Sequence, residues 1–317
     1  MKASDAVTGR WDSSYHAPVM VEEVLELLEG SKEVLDCTLG GGGHSEALLA
    51  AGVDVTALDQ DQAAIDEAHK RLAAYEAAGR FRVLRGNFSD IDQLPELQHR
   101  QFPGILADLG VSSHQIDAAD RGFSFRQGAL LDMRMDSRST TTGADLLNTL
   151  DEAALTRLFR EYGDEPRASR LAREVVRRRA NRPMRISDDL VDAIRGSFGP
   201  RSGPPEFARL FQAVRIAVND ELGALERALP LLRNRLVPNG VLAVIAYHSG
   251  EDRIVKNAFR EWSRDCVCPP KQLQCTCGGK NSLGEVVTRK AIKAGPEEIE
   301  KNSRSRSARL RAWRKAA

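Results

Sequence analysis

Four consecutive glycines, Gly40–Gly43, follow a short apolar segment that ends in an acid, Asp36. A second apolar segment, separated from the glycines by a helical pattern, ends in Asp59. Glycine lets the backbone turn tightly and approach a ligand closely, and an acid at the end of the second strand can accept hydrogen bonds from ribose hydroxyls. This spacing predicts a site for a nucleoside-containing cofactor in the first third of the chain.

The residues after the glycines help to choose between cofactors. A dinucleotide fold favours a G-x-G-x-x-G turn with the pyrophosphate at the helix N-terminus, where the acid Glu46 would repel it. Asp36 instead suits a positively charged ligand, and S-adenosylmethionine carries a sulfonium, an ammonium and a ribose. We therefore favour S-adenosylmethionine, with Asp36 near its methionine part and Asp59 on its ribose. A dinucleotide, or a glycine turn without any ligand, are the alternatives.

A second group of polar residues starts at Asp108, a third acid at the end of an apolar run. The loop 108–117 and the segments 121–126 and 131–136 are dense in Asp, Ser, Arg, Phe and Gly. Loops at strand ends commonly carry binding and catalytic residues, although an ordered loop that docks a helical insertion would have the same composition. Because ligands bind at the carboxyl ends of strands in open parallel sheets, the three acids are expected to form a polar site at that edge.

The apolar pattern that must position these residues alternates between strand and helix. Strands are predicted at 33–36, 53–59, 81–85 and 104–108, with helices between them. From about residue 117 to 204 the strand signals vanish and helical patterns follow one another. The alternation then resumes with a long amphipathic helix at 207–232 and strands at 241–249 and 284–292.

This rhythm predicts an α/β fold class, in which an inserted all-helical domain interrupts the sheet domain. The predicted boundaries are 1–116 and 206–300 for the two parts of the sheet domain, 117–205 for the insertion and 301–317 for a basic C-terminal tail. The net charge is only +1, but ten arginines lie between Arg157 and Arg185. Without an apolar leader or a run of roughly 18 apolar residues, a cytoplasmic protein with no membrane partner is expected.

The chain resembles the RsmH (MraW) family of bacterial methyltransferases that act on 16S ribosomal RNA. The resemblance covers nearly the whole sequence and rests on LGGGGHS, ALDQDQ, DLGVSSHQID, RGFSFR, LDMRMD, AYHSGEDRIVK and NSRSRSARLR. It implies a Rossmann-like S-adenosylmethionine-dependent methyltransferase sheet with an inserted helical domain for substrate recognition. It also implies methyl transfer from S-adenosylmethionine to N4 of a cytidine in the decoding region of 16S rRNA, within the 30S subunit, and is compatible with a homodimer. Gly250, where the family commonly has Leu, and Tyr247, where Phe is common, are departures.

The resemblance also implies a set of cofactor-binding residues. They comprise the Gly-Gly-His of the loop, the ribose acid, an aromatic before the fourth strand, and two residues of the fourth-strand loop: Gly42, Gly43, His44, Asp59, Phe88, Asp108 and Gln115.

The methyl group of a sulfonium is already activated, so the transfer itself needs no metal and no catalytic metal site is predicted. The difficulty lies in the acceptor, because the N4 lone pair of cytosine is delocalised into the ring. A hydrogen-bond acceptor on the N4 hydrogens would localise that pair and could later take a proton. Asp108 is one candidate for this catalytic role, and His248, at the end of a predicted strand, is the other.

Substrate binding is predicted at the RGFSFR segment. A base that is single-stranded or extruded is typically stacked on aromatics and held by arginine, a recipe that Phe123 and Phe125, flanked by Arg121 and Arg126, would satisfy. The arginines of the insertion are expected to hold phosphates. Alternatively, the arginines at 177–179 only make one end of a helix soluble and do not bind RNA.

Four of the five cysteines, Cys266, Cys268, Cys275 and Cys277, form two C-x-C pairs separated by six residues. This pattern is compatible with one tetrahedral zinc ion, with free thiols or with a redox disulfide, because C-x-C is tighter than the usual C-x-x-C.

Three other functions compete with an RNA cytosine-N4 methyltransferase. A methyltransferase of DNA, protein or a small molecule would share the cofactor loop, but the usual amino-methylating DNA enzymes carry a Pro-Pro motif where this chain has Leu109-Gly110. A non-catalytic ribosome-assembly factor could retain the cofactor pocket. A nucleotide-dependent oxidoreductase is disfavoured by the chemistry of the loop.

Overall fold

The computed structural model describes residues 11–12, 17–112, 115–116, 118, 121–269, 272 and 274–317. The chain divides into two compact units. One comprises residues up to 110 together with 222–317, and the other comprises residues 111–221. We call them the sheet unit and the helical unit.

The sheet unit contains a seven-stranded sheet with the strand order β3-β2-β1-β4-β5-β7-β6. Its strands are β1 Glu33–Asp36, β2 Asp54–Asp59, β3 Phe81–Arg85, β4 Phe102–Asp108, β5 Leu236–Ala246, β6 Gly284–Val286 and β7 Arg309–Lys315. Strands β1 to β5 pair in parallel, and β7 pairs antiparallel with both β5 and β6. The expected α/β fold class is confirmed.

The strands are apolar on both faces, as parallel strands covered by helices on each side should be. Successive residues enter different apolar clusters: Val34 and Leu106 belong to one, whereas Leu35 and Ile105 belong to the other. The helices of this unit are α1 Val21–Leu27, α2 Gly43–Ala50, α3 Gln62–Ala77, α9 Glu221–Asn234, α10 Ser249–Trp262 and α11 Pro296–Lys301.

The helical unit has its own apolar core. Its helices are α4 Gly143–Thr149, α5 Glu152–Glu161, α6 Ala168–Arg179, α7 Ser187–Phe198 and α8 Pro204–Asn219. Helix α5 buries Leu155, Leu158 and Phe159, the spacing of one helical face. The unit extends beyond the predicted insertion of residues 117–205 because Phe207 and Leu210 of α8 pack into this core.

Three sequence-based predictions differ from the structure. The long helix predicted at 207–232 is two helices, because Asp220 takes a left-handed conformation with φ 48°. The last predicted strand, 284–292, is regular only over residues 284–286. The predicted basic tail at 301–317 contains β7, an inner strand of the sheet. Among the described residues, no helix combines the length and apolar character that crossing a membrane requires.

The strand order places a crevice at the carboxyl edge of the sheet. The chain proceeds from β1 to β2 on one side, whereas β4 pairs with the opposite side of β1. The loops that follow β1 and β4 therefore leave the sheet in opposite directions, and such a switch point is where open α/β sheets bind ligands.

Candidate active site

The glycine loop joins β1 to α2 at this crevice. Gly42 precedes the helix with φ 77°, a left-handed conformation that favours glycine. A Cβ atom at Gly43 would lie 2.8 Å from Cγ of Pro18, so only glycine fits there without displacing the proline ring. Both predicted cofactor residues, Gly42 and Gly43, therefore have a structural need for glycine.

Asp36, at the end of β1, stabilises this loop by accepting hydrogen bonds from it. One carboxylate oxygen accepts a hydrogen bond from the Thr38 backbone N–H at 3.1 Å, and the other accepts one from the Ser45 hydroxyl at 2.7 Å. The side chain is buried, and burial raises the pKa of Asp36. Its interaction with the methionine part of a ligand stays a prediction, since the contacts seen here are all with the loop itself.

Asp59, at the end of β2, is half-buried beside the same loop. Its two oxygens accept hydrogen bonds from the backbone N–H groups of Gly40 and Asp61, each at 2.8 Å. Burial raises the pKa of Asp59 to about 6, and these two hydrogen bonds oppose the rise. Each carboxylate oxygen has a further lone pair, so Asp59 retains the capacity to accept hydrogen bonds from ribose hydroxyls.

Asp108, at the end of β4, lies between two ring side chains of the sheet unit. One carboxyl oxygen accepts a hydrogen bond from the Tyr247 hydroxyl at 2.9 Å, and the other lies 3.6 Å from Nδ1 of His44. Burial raises the pKa of Asp108 to about 8, with further increases from the charges of Asp36 and Glu251 and an opposing effect of the Tyr247 hydrogen bond. The carboxyl is therefore poised to exchange a proton near neutral pH.

His44 and Asp108 are close enough for an ion pair, but burial disfavours charge on both. It lowers the pKa of His44, so this imidazole is neutral. Nε2 of His44 lies 2.9 Å from the carbonyl oxygen of Val19, which assigns the ring proton to Nε2. The lone pair on Nδ1 then faces Asp108, and the pair is better described as a neutral contact than as a salt bridge.

His248 follows β5 and caps the start of α10. The backbone N–H groups of Tyr247 and His248 both donate to Oε2 of the buried Glu251. Nε2 of His248 lies 3.2 Å from Oε1 of Glu251, but without the alignment of a hydrogen bond, and it has no hydrogen-bond partner among the residues that the structure describes. Gly250, one of the two departures noted above, lies beside this ring. A Cβ atom at position 250 would lie 3.1 Å from the His248 ring.

Phe88 lies at the same edge of the sheet. It begins a short 3-10 helix, Phe88–Gln93, just after β3, and the side chain of Asn87 accepts the Ser89 N–H at the start of that helix. Asn87 also donates to Oε1 of Gln60 at 3.1 Å, which links the loops after β2 and β3. The Phe88 side chain packs against one of the apolar clusters of the sheet unit, and its contact with the cofactor stays a prediction.

The other predicted residues belong to the helical unit. Gln115 is buried and exchanges hydrogen bonds with Ser112, from its own backbone N–H to the serine hydroxyl and from the Ser112 N–H to its side-chain oxygen. Arg121 donates to the carbonyl oxygens of Arg134 and Met135, both at 3.2 Å. These two residues therefore organise the loops of their own unit.

The aromatic residues of the RGFSFR segment are mostly inside. Phe123 is 8 % exposed, and Phe125 packs edge-on against Phe207 and Phe211. The side chain of Arg126 is exposed. Stacking of a base on either phenylalanine stays a prediction, and for Phe125 the observed contacts provide a packing role.

Sequence reasoning missed three groups that shape the Asp108 environment. Thr38 Oγ1 accepts a hydrogen bond from the Asp108 backbone N–H at 2.6 Å, Tyr247 donates to its carboxyl, and Glu251 adds negative charge nearby. Thr38 and Tyr247 each follow the end of a strand by two residues or fewer. Polar residues just beyond strand ends were the signal that could have identified them.

The chemistry of the edge suits a cationic nucleoside. Asp36, Asp59 and Asp108 collect negative potential around the glycine loop, and Glu46 lies in the first turn of α2. Such a site disfavours a pyrophosphate, whereas a ligand cation would favour the ionised form of Asp108, which burial and, to a smaller extent, the charge of Asp36 disfavour. The set of residues therefore fits S-adenosylmethionine, with a glycine loop, a ribose acceptor and acids for positive charge.

Known proteins provide an independent comparison. The profile of the MraW methylase family matches residues 13–316. A protein of Gemmatimonas aurantiaca named ribosomal RNA small subunit methyltransferase H is 58% identical over 311 residues, which is 98% of each chain. Proteins of the same name from Heliobacterium modesticaldum and Anaeromyxobacter dehalogenans are 45% and 46% identical, over 95% of this chain and 98% and 97% of theirs. The chain therefore belongs to the MraW methylase family, and its cofactor is S-adenosylmethionine.

Proposed function

We propose that this protein methylates N4 of a cytidine in the decoding region of 16S ribosomal RNA. Its relatives are named as methyltransferases of small-subunit ribosomal RNA, which supports rRNA as the substrate. The observation that carries the proposal is Asp108, a buried carboxyl at the switch point of the sheet, next to the cofactor loop.

S-adenosylmethionine supplies an activated methyl group when bound, so the protein must mainly orient the acceptor and manage its proton. A carboxylate at Asp108 would accept a hydrogen bond from the exocyclic amino group of cytosine and draw electron density onto N4. The same carboxylate can then take the proton that N4 loses after methylation. The Tyr247 hydroxyl donates to one carboxyl oxygen, and we assign the other oxygen, which lies beside Nδ1 of His44, to the acceptor.

His248 is proposed as a positioning residue. Its imidazole lies 3.2 Å from one oxygen of Glu251, whose other oxygen accepts the backbone N–H groups of Tyr247 and His248, and the Tyr247 side chain in turn holds Asp108. A small displacement of this turn would therefore move the hydrogen bond on Asp108 and misalign the reacting atoms.

Exposed arginines of the helical unit are proposed to hold RNA phosphates. Arg126 of the RGFSFR segment and Arg170 and Arg173 of α6 are exposed. Arg177 and Arg178 are less suited to this role, because both lie 2.6 Å from Glu174, whereas Arg173 makes a longer contact of 3.5 Å with Glu152. Two of the three arginines at 177–179 therefore already form ion pairs within the protein.

The deciding experiment is transfer of labelled methyl from S-adenosylmethionine to unmodified 30S subunits, beside free 16S RNA and DNA, with the modified nucleoside identified. N4-methylated cytidine from the subunits is the expected product. Incorporation into free RNA alone would remove the 30S part of the proposal. Label in DNA, or cofactor binding without any transfer, would refute the proposed activity.

Two variants assign the residues. Asp108→Asn should lower turnover by roughly 100- to 10,000-fold, the usual contribution of general acid–base catalysis. His248→Ala should lower turnover with little change in cofactor affinity. Asp54→Asn and His69→Ala, at exposed positions paired with Arg80 and Glu76, are the matched controls. Unchanged turnover in Asp108→Asn would eliminate the proposed proton acceptor.

A third set tests the RNA surface. Arg126→Ala, Arg170→Ala and Arg173→Ala should weaken RNA binding and reduce the slope of log affinity against log salt by roughly 0.7–0.9 for each phosphate that the protein no longer neutralises. Arg260→Ala, an exposed position on a helix of the sheet unit, is the control. A slope that all three variants share with the wild-type protein would place the RNA surface elsewhere.

A further inference from the structure

Four cysteine side chains converge between α10 and β6. The Sγ atoms of Cys266, Cys268, Cys275 and Cys277 all lie within 4.8 Å of one another. Three of the separations are 3.8 Å for Cys266 to Cys275, 3.8 Å for Cys266 to Cys277 and 3.6 Å for Cys275 to Cys277. From this convergence we propose that the four thiolates bind one structural zinc ion.

The sulfur separations agree with the geometry of a zinc–thiolate centre. Zinc binds thiolate at about 2.3 Å with tetrahedral ligands, which sets the edges of the sulfur tetrahedron at about 3.8 Å. A disulfide instead needs two sulfurs about 2.05 Å apart and leaves the other pair without a role. Because every one of the three measured separations lies near the tetrahedral edge, the arrangement resembles a ligand shell more than a pair of cross-links.

Backbone N–H groups are directed at the sulfurs from within the segment. The Thr276 N–H donates to Sγ of Cys268 at 3.4 Å, and the N–H groups of Gly279 and Val267 approach Sγ of Cys277. Gly278 and Gly279 have φ values of 79° and 64°, which turn the chain back toward that sulfur. Hydrogen bonds of this kind around a ligand shell stabilise negative charge on sulfur and orient it toward a metal.

The segment has no apolar core that could otherwise hold it. Val267 and Leu283 are 53% and 46% exposed, and none of the described residues from 264 to 283 belongs to an apolar cluster of the protein. Asn281 bridges the carbonyl oxygens of Asp265 and Cys277, and the Leu283 N–H donates to the Trp262 carbonyl, so the two ends of the segment meet. Small elements without a core are commonly held by a metal or by disulfides.

The ligand type identifies the metal class and its role. Thiolates are soft ligands that select zinc over magnesium or calcium, and four protein ligands leave no open position for water or substrate. The centre is therefore structural. Its metal would fix the connection from α10, which begins with the His248 turn, to β6 at the edge of the sheet.

The test is metal analysis of the full-length protein, expressed in zinc-supplemented medium and purified without chelator. About one zinc per chain is expected. Replacement by Co²⁺ should give the visible bands of a tetrahedral site together with a thiolate-to-metal charge-transfer band. Zinc at far below stoichiometric amounts with four alkylatable thiols, a zinc-free protein lacking two thiols as a disulfide, or stoichiometric iron would each overturn the proposal.

Variants assign the ligands. Cys275→Ser and Cys277→Ser should each abolish stoichiometric zinc or lower zinc affinity by a large factor, whereas Cys37→Ala, at the buried cysteine that lies outside the cluster, should retain it. If a serine variant fails to fold, release of zinc from the wild-type protein by a thiol-modifying reagent replaces it. Zinc retained after complete thiol modification would exclude the cysteines as ligands.

Discussion

The titration of Asp108 predicts that cofactor binding releases a proton. In the ligand-free protein the pKa of this carboxyl is about 8, so below that pH it is mostly protonated. A sulfonium or ammonium group nearby favours the carboxylate, and binding must therefore displace the proton. Raising the pH from about 6 to about 8 should strengthen the binding of S-adenosylmethionine, because less work is then needed to ionise Asp108.

The expected size follows from the pKa of Asp108. If the ligand binds only the ionised form of Asp108, the apparent dissociation constant exceeds the intrinsic one by a factor of 1 + 10 raised to the power of the pKa minus the pH. This factor is about 100 near pH 6 and about 2 near pH 8, so the ionisation of Asp108 by itself should raise the affinity by roughly 50-fold, or about 2 kcal/mol. Asp59, with its pKa of about 6, adds at most about a factor of two over the same range.

Isothermal titration calorimetry in buffers of different ionisation enthalpy measures both the affinity and the number of protons released. Asp108→Asn should flatten the pH dependence, and the ligand's own amino group titrates equally in both proteins. Tyr247→Phe should move the midpoint upward, because the hydrogen bond that this variant lacks stabilises the carboxylate. If Asp108→Asn kept the wild-type pH dependence and proton release, the assignment of charge in this site would be wrong.

Three further predictions concern stability. Gly43→Ala should destabilise the protein by about 1–3 kcal/mol, because its Cβ would lie 2.8 Å from Pro18; thermal unfolding measures this, with Gly295→Ala, which has open space, as the control. Ser45→Ala should cost about 1–3 kcal/mol in urea unfolding, because it removes a donor from buried Asp36. Glu165→Gln should destabilise the helical unit by about 2–3 kcal/mol near pH 7. Burial opposes ionisation of Glu165, but hydrogen bonds from Arg209 and Arg167 outweigh it and lower the pKa of Glu165. The contribution of Glu165 to the free energy of unfolding is therefore complete above its ordinary pKa and is lost as the pH falls through its lowered pKa in the folded protein.

Each of these has a contrary outcome that is easy to recognise. An unchanged melting temperature for Gly43→Ala would mean that the Pro18 ring can move aside without cost. A Ser45→Ala protein as stable as the wild type would show that Asp36 needs no second hydrogen-bond donor. If the wild-type and Glu165→Gln proteins lost the same amount of stability between neutral and acidic pH, Glu165 would not contribute to the loss of stability in acid.

The strands and the acids at their ends could be predicted because both signals are local. The apolar runs before Asp36, Asp59 and Asp108 are short and continuous, and parallel pairing brings their ends to one edge. The environment of Asp108 could not be predicted in this way, because Thr38 and Tyr247 reach it from distant positions in the chain. Their contribution depends on register between strands, which a single sequence does not specify.

The structure has strand β7 where the sequence predicted a basic tail. The arginines of this segment led to the wrong prediction. Leu310 and Ala312 alternate with Arg309 and Arg311, the period of a strand, and Trp313 is fully buried. Arg311 is paired with Asp252 at 2.7 Å, so its charge is satisfied within the fold. The period of two is present in the sequence, but the high basic content of the segment obscures it.

The position of β7 between β5 and β6 also fixes when the sheet can be completed during synthesis. Strand β5 ends at residue 246 and β7 begins at residue 309, so the outer edge of β5 stays unpaired until the ribosome has produced the residues between them. An open strand edge is a template for pairing with other chains. A nascent or truncated chain that lacks β7 would therefore carry Tyr247 and His248 on an unfinished, association-prone edge, and activity would arise only as the last strand inserts.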